Sequence, residues 1–248
     1  MQISKVKCEE FLANWDNIVW SASRVKEFTN CPLTWYLTYV EGIRGENYYA
    51  YTGTLVHSIF EDYYNKGRDL GLDLETVRGV MVKKFKRGQK LNPHPVSFRN
   101  AASGDAKIIE SLSSFKPIPT ITHVERELIF EIRSYKFRAF LDFEEGEYYL
   151  GDYKSKWSPD YMNQQYIYMM AKMYNLDRVI GFKCVEYKKM MNVLDFKYKH
   201  IEMKETEFWV METIKTIKKA LETQDFPVKE KKGDWFCKNL CMKCEHGK

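Results

Sequence analysis

The sequence contains no long run of apolar residues. No stretch reaches the roughly 20 consecutive apolar residues that a membrane-spanning helix requires. The N-terminal segment MQISKVKCEEFLANWDNIVW has no uninterrupted apolar stretch and carries Glu9, Glu10 and Asp16, so it predicts neither a secretory signal nor a transit peptide. These absences favour a soluble, cytoplasmic protein with no membrane partner.

Linkers, internal repeats and low-complexity segments are missing as well. No Gly/Ser-rich stretch divides the 248 residues. A hydrophobic fraction of 44% with 15% aromatic residues is sufficient for a packed core. We therefore expect one domain over residues 1–248, with a mainly helical part at 20–118, a core at 119–205, and a C-terminal helix with a cysteine-rich segment at 206–248.

The excess of positive charge is small. The chain has 39 basic and 34 acidic side chains, a formal net charge of +5 and a pI of about 8.7. This balance leans toward polyanionic partners but is below that of a dedicated nucleic-acid-binding domain. Charge alone therefore assigns no function.

The core segments have recognisable patterns. Three aromatic-rich segments between Thr120 and Ser155 predict antiparallel strands, and SPDYMNQQYIYMMAKMYN predicts a helix capped by Ser158. RVIGFKCVEY predicts a buried strand parallel to the strand before that helix, and VLDFKYKHIEM predicts an edge strand. Helical patterns flank these segments, including TGTLVHSIFEDYYNKG and the long amphipathic KETEFWVMETIKTIKKALET. The prediction is an α/β or α+β fold with a mixed sheet flanked by helices.

The segment GDYKSKW places Asp152 and Lys154 on one face of a strand. A turn at Glu145-Gly146 would pair this strand with the preceding one and bring Asp142 to the same place. Two close carboxylates repel each other unless a cation lies between them, and oxygen ligands suit Mg²⁺ or Mn²⁺. A metal ion and a lysine together can promote phosphodiester hydrolysis. The alternative is a surface strand in which Asp152 and Lys154 merely neutralise each other.

Four motifs in order resemble a known family. Asp142, Asp152 and Lys154 are similar to the D…(D/E)xK signature of the PD-(D/E)xK nuclease superfamily, specifically its RecB-like branch. The GxxxH motif of that branch matches Gly53 to His57, and its QxxxY motif matches Gln164 and Tyr168. AFLD precedes the first aspartate, with alanine where glycine is usual. The resemblance covers nearly the whole chain and extends to CRISPR-associated RecB-like exonucleases and AddB-type nuclease domains.

The resemblance implies a restriction-endonuclease-like core and a Mg²⁺- or Mn²⁺-dependent DNA nuclease. It implies an exonuclease acting on single-stranded DNA or DNA ends in recombination, repair or replication, together with other proteins of those processes. The catalytic residues it implies are Asp142, Asp152, Lys154, Gln164 and Tyr168. The metal ligands it implies are His57, Asp142 and Asp152.

Several of these assignments have alternatives. His57 could be an ordinary helix histidine, and Gln164 and Tyr168 could be helix residues without a role. Glu125 and Glu127 either support the site or only lie on a strand, and the sequence does not decide between these readings. A catalytically silent DNA-binding or scaffold module of the same fold is the alternative function.

The six cysteines are unevenly distributed. Cys237, Cys241 and Cys244 lie within the last dozen residues, with three and two residues between them, close enough to bind one metal. Resemblance to cluster-containing relatives implies a [4Fe-4S] cluster on Cys31, Cys237, Cys241 and Cys244, although the second gap is shorter than usual. Zn²⁺ on the terminal cysteines with His246 or Cys31, or unligated thiols, are the alternatives; disulfides are not expected in the cytosol.

Overall fold

The structure is a computed structural model that describes residues 3–43, 48–91, 101–175, 178–188 and 191–228. Helices occupy, in chain order, Lys5–Ala13 (α1), Ala22–Asn30 (α2), Pro32–Tyr39 (α3), Tyr48–Asp62 (α4), Leu74–Leu91 (α5), Ala101–Ser113 (α6), Met162–Tyr174 (α7) and His200–Thr223 (α8). Strands occupy Ile121–Ile132 (β1), Tyr135–Glu145 (β2), Tyr149–Lys154 (β3), Gly181–Glu186 (β4) and Asn192–Lys197 (β5). Within these ranges no helix is long and apolar enough to cross a membrane.

The strands form one five-stranded mixed sheet in the order β1-β2-β3-β4-β5. β2 and β3 are antiparallel, β3 and β4 are parallel, and β4 and β5 are antiparallel. Helices precede, interrupt and follow these strands in the chain. The predicted α/β class with a mixed sheet is confirmed.

The parallel pair β3 and β4 requires a crossover connection, and α7 lies in it. The segment before α7 is capped by Ser158, as predicted: the Ser158 hydroxyl accepts a hydrogen bond from the backbone N–H of Asp160. Pro159 is the first residue of a short 3₁₀ turn that precedes α7. The helix buries Tyr166, Met169 and Met170. This burial fixes which face of α7 is turned inward.

The chain divides into two compact units, which are described separately. The first contains Met1–Glu46, Ile129–Ala139 and Lys199–Lys248, and the second contains Asn47–Leu128 and Phe140–Tyr198. In the first unit the fully buried Trp35 is surrounded by the rings of Phe11, Phe28, Tyr39 and Phe226. This aromatic cluster holds α1, α2 and α3 together.

The core of the second unit joins α4, α5 and α6 to one face of the sheet. The Phe60 ring lies 4.5 Å from that of Tyr153 on β3 and 5.7 Å from that of Phe115, measured between centroids. The Phe143 ring on β2 lies 4.9 Å from the same tyrosine. α4 is therefore fixed against the middle of the sheet.

Element boundaries differ from the predictions in three places. α8 begins at His200, inside the segment predicted as an edge strand and six residues before the predicted C-terminal part. α1 was not predicted, because only Cys8 of its nine residues is buried and the apolar pattern is correspondingly weak. α4 begins at Tyr48 and continues into a π-helical segment, Tyr63–Gly67.

Candidate active site

The β2–β3 pair places two aspartates opposite each other. Phe143 is paired with Gly151, so the next positions along the two strands are Asp142 and Asp152. Both residues are buried, with 9% and 2% of their surface exposed. The backbone N–H of Tyr153 donates to Asp142 Oδ2 at 2.6 Å, which fixes that carboxylate against β3.

Gly151 is required by close packing. A Cβ added there would lie 2.0 Å from ring atoms of Phe143, which is fully buried. The turn between the strands also uses a glycine, because Gly146 has φ +59°. The two glycines therefore allow the hairpin that brings Asp142 and Asp152 together.

His57 reaches the same place from α4. The Nε2 atom of His57 lies 2.8 Å from the backbone oxygen of Tyr153, and because a carbonyl oxygen can only accept, the Nε2–H of His57 is the donor. This orientation places His57 Nδ1 3.4 Å from Asp142 Oδ1. Burial lowers the pKa of His57, but the negative charge of Asp142 outweighs it and raises the pKa to about 9. A histidine oriented through its other ring nitrogen is typical of metal ligands.

The two aspartates cannot both be ionised without a nearby positive charge. Burial and the charge of Asp142 hold the pKa of Asp152 well above its usual range. Burial opposes ionisation of Asp142 as well, but the neighbouring His57 outweighs this effect and lowers its pKa. Such a pair binds a cation favourably, because the cation replaces a shared proton.

Lys154 completes the row on β3. Its Nζ lies 2.5 Å from Asp152 Oδ2 and 5.1 Å from the ring centroid of Tyr161. Burial lowers its pKa, but Asp152 and Asp142 outweigh burial and raise it above the usual value. The side chain is therefore a cation at neutral pH.

Glu125 belongs to the site, a point that the sequence left undecided. One ligand atom from each of His57, Glu125 and Asp142 lies within 4.8 Å of the others, and this is the only such group of three or more among the described residues. Imidazole and carboxylate groups are suitable ligands for a divalent cation. The four side chains His57, Glu125, Asp142 and Asp152, together with Lys154, are called the acidic site below.

Glu125 reaches this position through an irregularity in β1. It has φ +50° inside a strand, a conformation uncommon for residues other than glycine. At one end of the β1–β2 pair, the Arg133-Ser134 turn joins the two strands. At the other end, the backbone N–H of Gly146 donates to the carbonyl oxygen of Thr120. Between the turn and this hydrogen bond, β1 contains one residue more than β2. An extra residue of this kind is a β-bulge, which redirects side chains.

Gln164 and Tyr168 lie together on α7. The amide of Gln164 donates to Tyr168 Oη at 2.6 Å. Burial raises the pKa of Tyr168, and the charge of Asp152 raises it further, while Lys154 opposes the shift. Tyr168 is thus a neutral hydroxyl close enough to the acidic site to be affected by its charges.

A second buried charge cluster follows the aspartate on β2. Glu144 is 2% exposed; its carboxylate lies 2.8 Å from Lys172 Nζ and 3.1 Å from Arg126 Nη1. Lys172 is on α7, one turn beyond Tyr168. This ion pair links α7 to the sheet, and no motif in the sequence indicated it.

The predicted cluster cysteines are only partly within the described residues. Cys31 is 2% exposed and lies immediately before α3. Cys237, Cys241, Cys244 and His246 lie outside the described residues. Cys8 and Cys184 are buried free thiols, and Cys184 is paired in register with Asp152.

Comparison with known proteins identifies the family. The model of the PD-(D/E)XK nuclease superfamily matches residues 19–247. The chain belongs to the PD-(D/E)XK nuclease superfamily. Membership implies a metal-dependent nuclease, and the residues of the acidic site have the donor chemistry that a divalent metal requires.

A solved structure supports the fold. A protein of Eubacterium rectale, provisionally named as an exonuclease, superposes with a TM-score of 0.52 over 92% of this chain and 90% of that chain. The two sequences are 14% identical, so the likeness shows the fold, and the restriction-endonuclease-like architecture is confirmed. A search of curated proteins found no match.

Proposed function

We propose that the protein is a Mg²⁺- or Mn²⁺-dependent deoxyribonuclease that hydrolyses phosphodiester bonds at DNA ends or in single strands. The single observation that carries this proposal is the convergence of His57, Glu125, Asp142 and Asp152 with a lysine in one place, where the two aspartates are buried. Membership of the nuclease superfamily supports it independently.

The metal ion would supply Lewis acidity and lower the pKa of a bound water. Its ligands would be Nδ1 of His57 and the carboxylates of Asp142, Asp152 and Glu125. The hydrogen bond from His57 to the Tyr153 carbonyl keeps the imidazole in the orientation that binding requires. Asp142 is held in the same way by the N–H of Tyr153.

Lys154 would stabilise charge on the scissile phosphate. Because its pKa is raised by Asp152 and Asp142, it remains protonated and is better suited to electrostatic stabilisation than to proton removal. Gln164 and Tyr168 would orient Lys154 or a phosphate oxygen from α7, where the amide and the hydroxyl are already bonded to each other.

The finer assignments follow the RecB-like resemblance. They are exonuclease action in recombination, repair or replication, one nuclease domain over the whole chain, and a structural [4Fe-4S] cluster on Cys31, Cys237, Cys241 and Cys244. Cys31 is buried beside α3, which suits a structural cluster ligand. Zn²⁺ in place of the cluster is the alternative.

A catalytically silent DNA-binding module is the second candidate function. It is disfavoured because Asp142, Asp152 and Lys154 are all present and adjacent. A module that had lost cleavage would have no need to bury two carboxylates and a lysine, since such burial is costly without a bound ion.

The test is cleavage of end-labelled single- and double-stranded DNA with Mg²⁺ or Mn²⁺, with and without EDTA. Asp152→Asn keeps the size of the side chain but removes its charge, and we expect it to reduce the rate by a factor of about 100 or more. Asp195→Asn, on the exposed edge strand β5, is the matched control and should cleave at the wild-type rate.

Two results would overturn the proposal. One is cleavage that persists in EDTA or in Asp152→Asn, because the acidic site would then be irrelevant. The other is DNA binding without cleavage under either metal, which would select the silent module. The pattern of labelled products would distinguish action at ends from internal cleavage.

A further inference from the structure

The positive charge of the protein is concentrated on one helix. α5 carries six basic residues and one acidic residue, a net charge of +5. The formal net charge of the whole chain is also +5, so the remaining 33 basic and 33 acidic residues cancel. The small net positive charge of the chain, from which no function could be assigned, is therefore equal to the net charge of α5 alone.

Four of these cations share one face of α5. At 100° per residue they fall within an arc of about 100°, and they extend over about 10 Å of helix. All four are exposed, whereas Val77, Met81 and Phe85 are buried on the opposite side. This set, called the basic face below, consists of Lys83, Lys86, Arg87 and Lys90.

The basic face is not neutralised within the part of the chain that the structure describes. Of the six basic residues on α5, Lys84 pairs with Asp62 at 2.7 Å and Arg78 bonds to the Phe115 carbonyl, and neither belongs to the face. No ion pair joins any member of the face to the described residues. Like charges three and four residues apart destabilise a helix, so the arrangement is unfavourable without an external anion.

The helix dipole accounts for only part of this arrangement. A cation in the last turn is favoured by the partial negative charge at the C-terminus, and this explains Lys90. The effect is limited to the last turn and leaves Lys83, Lys86 and Arg87 unexplained. α8 differs in its charge balance, because its four lysines are accompanied by five glutamates and Lys215 pairs with Glu212 at 2.7 Å.

The basic face lies one helix away from the acidic site. α5 packs directly on α4, where Tyr51 Oη donates to the Gly88 carbonyl at 2.8 Å and Leu55 fills the space above Gly88. His57 is on the same α4. Packed helices are separated by about 8–10 Å between axes. Gly88 lies on the side of α5 that faces α4, so the basic face points away from α4, and DNA would have to extend past the acidic site and along the outer side of α5 to contact it.

We propose that the basic face of α5 binds the phosphate backbone of DNA outside the acidic site. A row of cations without interspersed apolar side chains fits a polyanion and does not fit an apolar partner or a lipid surface. The inference rests on the proposed function for the identity of the anion and extends it by naming a second contact surface. The surface would position the substrate without taking part in hydrolysis.

The test is DNA binding in EDTA in an Asp152→Asn background, so that cleavage does not enter. The test variant replaces all four residues of the basic face with Gln. The matched control replaces four exposed lysines of α8 with Gln: Lys204, Lys215, Lys218 and Lys219.

We expect the basic-face variant to bind DNA at least about tenfold more weakly at moderate salt. Each lost phosphate contact should make the slope of log K against log salt shallower by about 0.7 to 0.9, hence by about three in total. The α8 control should keep the parental affinity and slope. The melting temperature of the basic-face variant should be unchanged or higher, because like-charge neighbours are removed.

Three results would overturn the inference. If the basic-face variant and the α8 control lose the same amount of DNA affinity, the effect is one of general charge. If the basic-face variant has a lower melting temperature but an unchanged DNA affinity, the role of these residues is structural. Binding of polyglutamate that excess DNA fails to displace would assign the face to an acidic protein.

Failure here is distinguishable from failure of the proposed function. The basic-face substitutions are also made in the chain that keeps Asp152. If both this variant and the wild type cleave DNA with the same KM and the same salt dependence, the proposed nuclease function is supported and the present inference is refuted. If no protein cleaves DNA but the basic-face variant loses binding, the contact surface stands and the nuclease falls.

Discussion

Glu125 carries a cost that its position in the acidic site explains. A residue other than glycine in the left-handed region is strained by about 1–2 kcal/mol, and such strain is found at functional sites. The strain places a carboxylate beside His57 and Asp142. A regular strand would have avoided this cost but would have left His57 and Asp142 without the carboxylate of Glu125 beside them.

Replacing Glu125 with Gly separates stability from activity. Glycine relieves the left-handed strain, so we expect Glu125→Gly to raise the free energy of unfolding by about 1 kcal/mol. The same change removes a proposed metal ligand and should reduce cleavage and raise the Mn²⁺ concentration needed for half-maximal activity. Urea denaturation and a metal titration of the cleavage rate would measure the two effects.

Glu127→Gly is the matched control on the same strand. Glu127 is not in the left-handed region, so glycine there should lower stability by about 0.5–1 kcal/mol and leave the metal requirement unchanged. Equal destabilisation by the two substitutions, or an unaltered metal requirement in Glu125→Gly, would refute the role assigned to the bulge.

The positions of individual residues in the sequence were sufficient to predict part of the acidic site, but not all of it. Alternation along a strand and the Glu145-Gly146 turn were sufficient to bring Asp142, Asp152 and Lys154 together. Glu125 could not be assigned in this way. The left-handed position lies in Val-Glu-Arg, without the Gly, Asn or Asp that usually indicates such a conformation.

At the scale of the elements, the β2–β3 pairing positions the aspartates. Gly151 is in contact with the Phe143 ring across the two strands, and the space for a side chain is absent. Because Asp152 is the next residue, a displacement of β3 at Gly151 moves a proposed metal ligand. The packing of the hairpin and the geometry of the acidic site are therefore coupled.

Gly151→Ala should lower both stability and activity. The added methyl group forces a shift of Phe143 or of the strand, and we expect a loss of about 1–3 kcal/mol in the free energy of unfolding. Gly79→Ala is the opposite case, since nothing lies within 4 Å of the added Cβ and alanine favours helix, so it should stabilise by up to about 1 kcal/mol. Thermal unfolding of the two variants measures the difference. A stable, fully active Gly151→Ala would contradict the close packing described.

The Glu144–Lys172 pair gives a second prediction at this scale. Lys172→Met removes one of the two cations close to a buried carboxylate, and we expect a loss of about 2–3 kcal/mol, limited because Arg126 remains. Adding Glu144→Gln should restore most of this loss, since the buried charge is then gone. A double variant no more stable than Lys172→Met would show that the pair is not coupled.

Element types were predicted better than element ends. The parallel β3–β4 pair and the Ser158 cap of the segment before α7 were confirmed, because buried strands and caps leave direct marks on the sequence. α8 started earlier than expected, because alternation in VLDFKYKHIEM continues past Lys197 although the strand ends there. Tertiary packing sets such ends, and local pattern does not record them.

At the scale of the whole molecule, the patterns of the segments predicted the fold class, whereas composition indicated only that a packed core could form. The first unit combines three chain segments that are far apart in sequence, including part of a hairpin. A split of this kind leaves no linker, so the absence of Gly/Ser-rich stretches had suggested one continuous domain. Whether the units act as one nuclease domain stays a prediction.

The proposed cluster gives a prediction at this scale. A [4Fe-4S] cluster on Cys31 and the terminal cysteines would close a loop with 205 intervening residues and restrict the unfolded chain. Cys31→Ser should lose bound iron and sulfide and unfold at a lower temperature. Cys8→Ser, also at a buried thiol, should keep the iron. Iron and sulfide analysis after anaerobic purification decides this, and zinc without iron would select the alternative metal.

The most direct test of the account is a Mn²⁺ titration of the wild type and Asp142→Asn, following cleavage of labelled DNA and metal binding by calorimetry on the same samples. Asp142 contacts both His57 and β3, so it is central to the acidic site. We predict that binding and cleavage in the wild type reach half-saturation at the same Mn²⁺ concentration, and that Asp142→Asn loses both. Cleavage by Asp142→Asn at the wild-type rate, or cleavage without bound metal, would contradict the account.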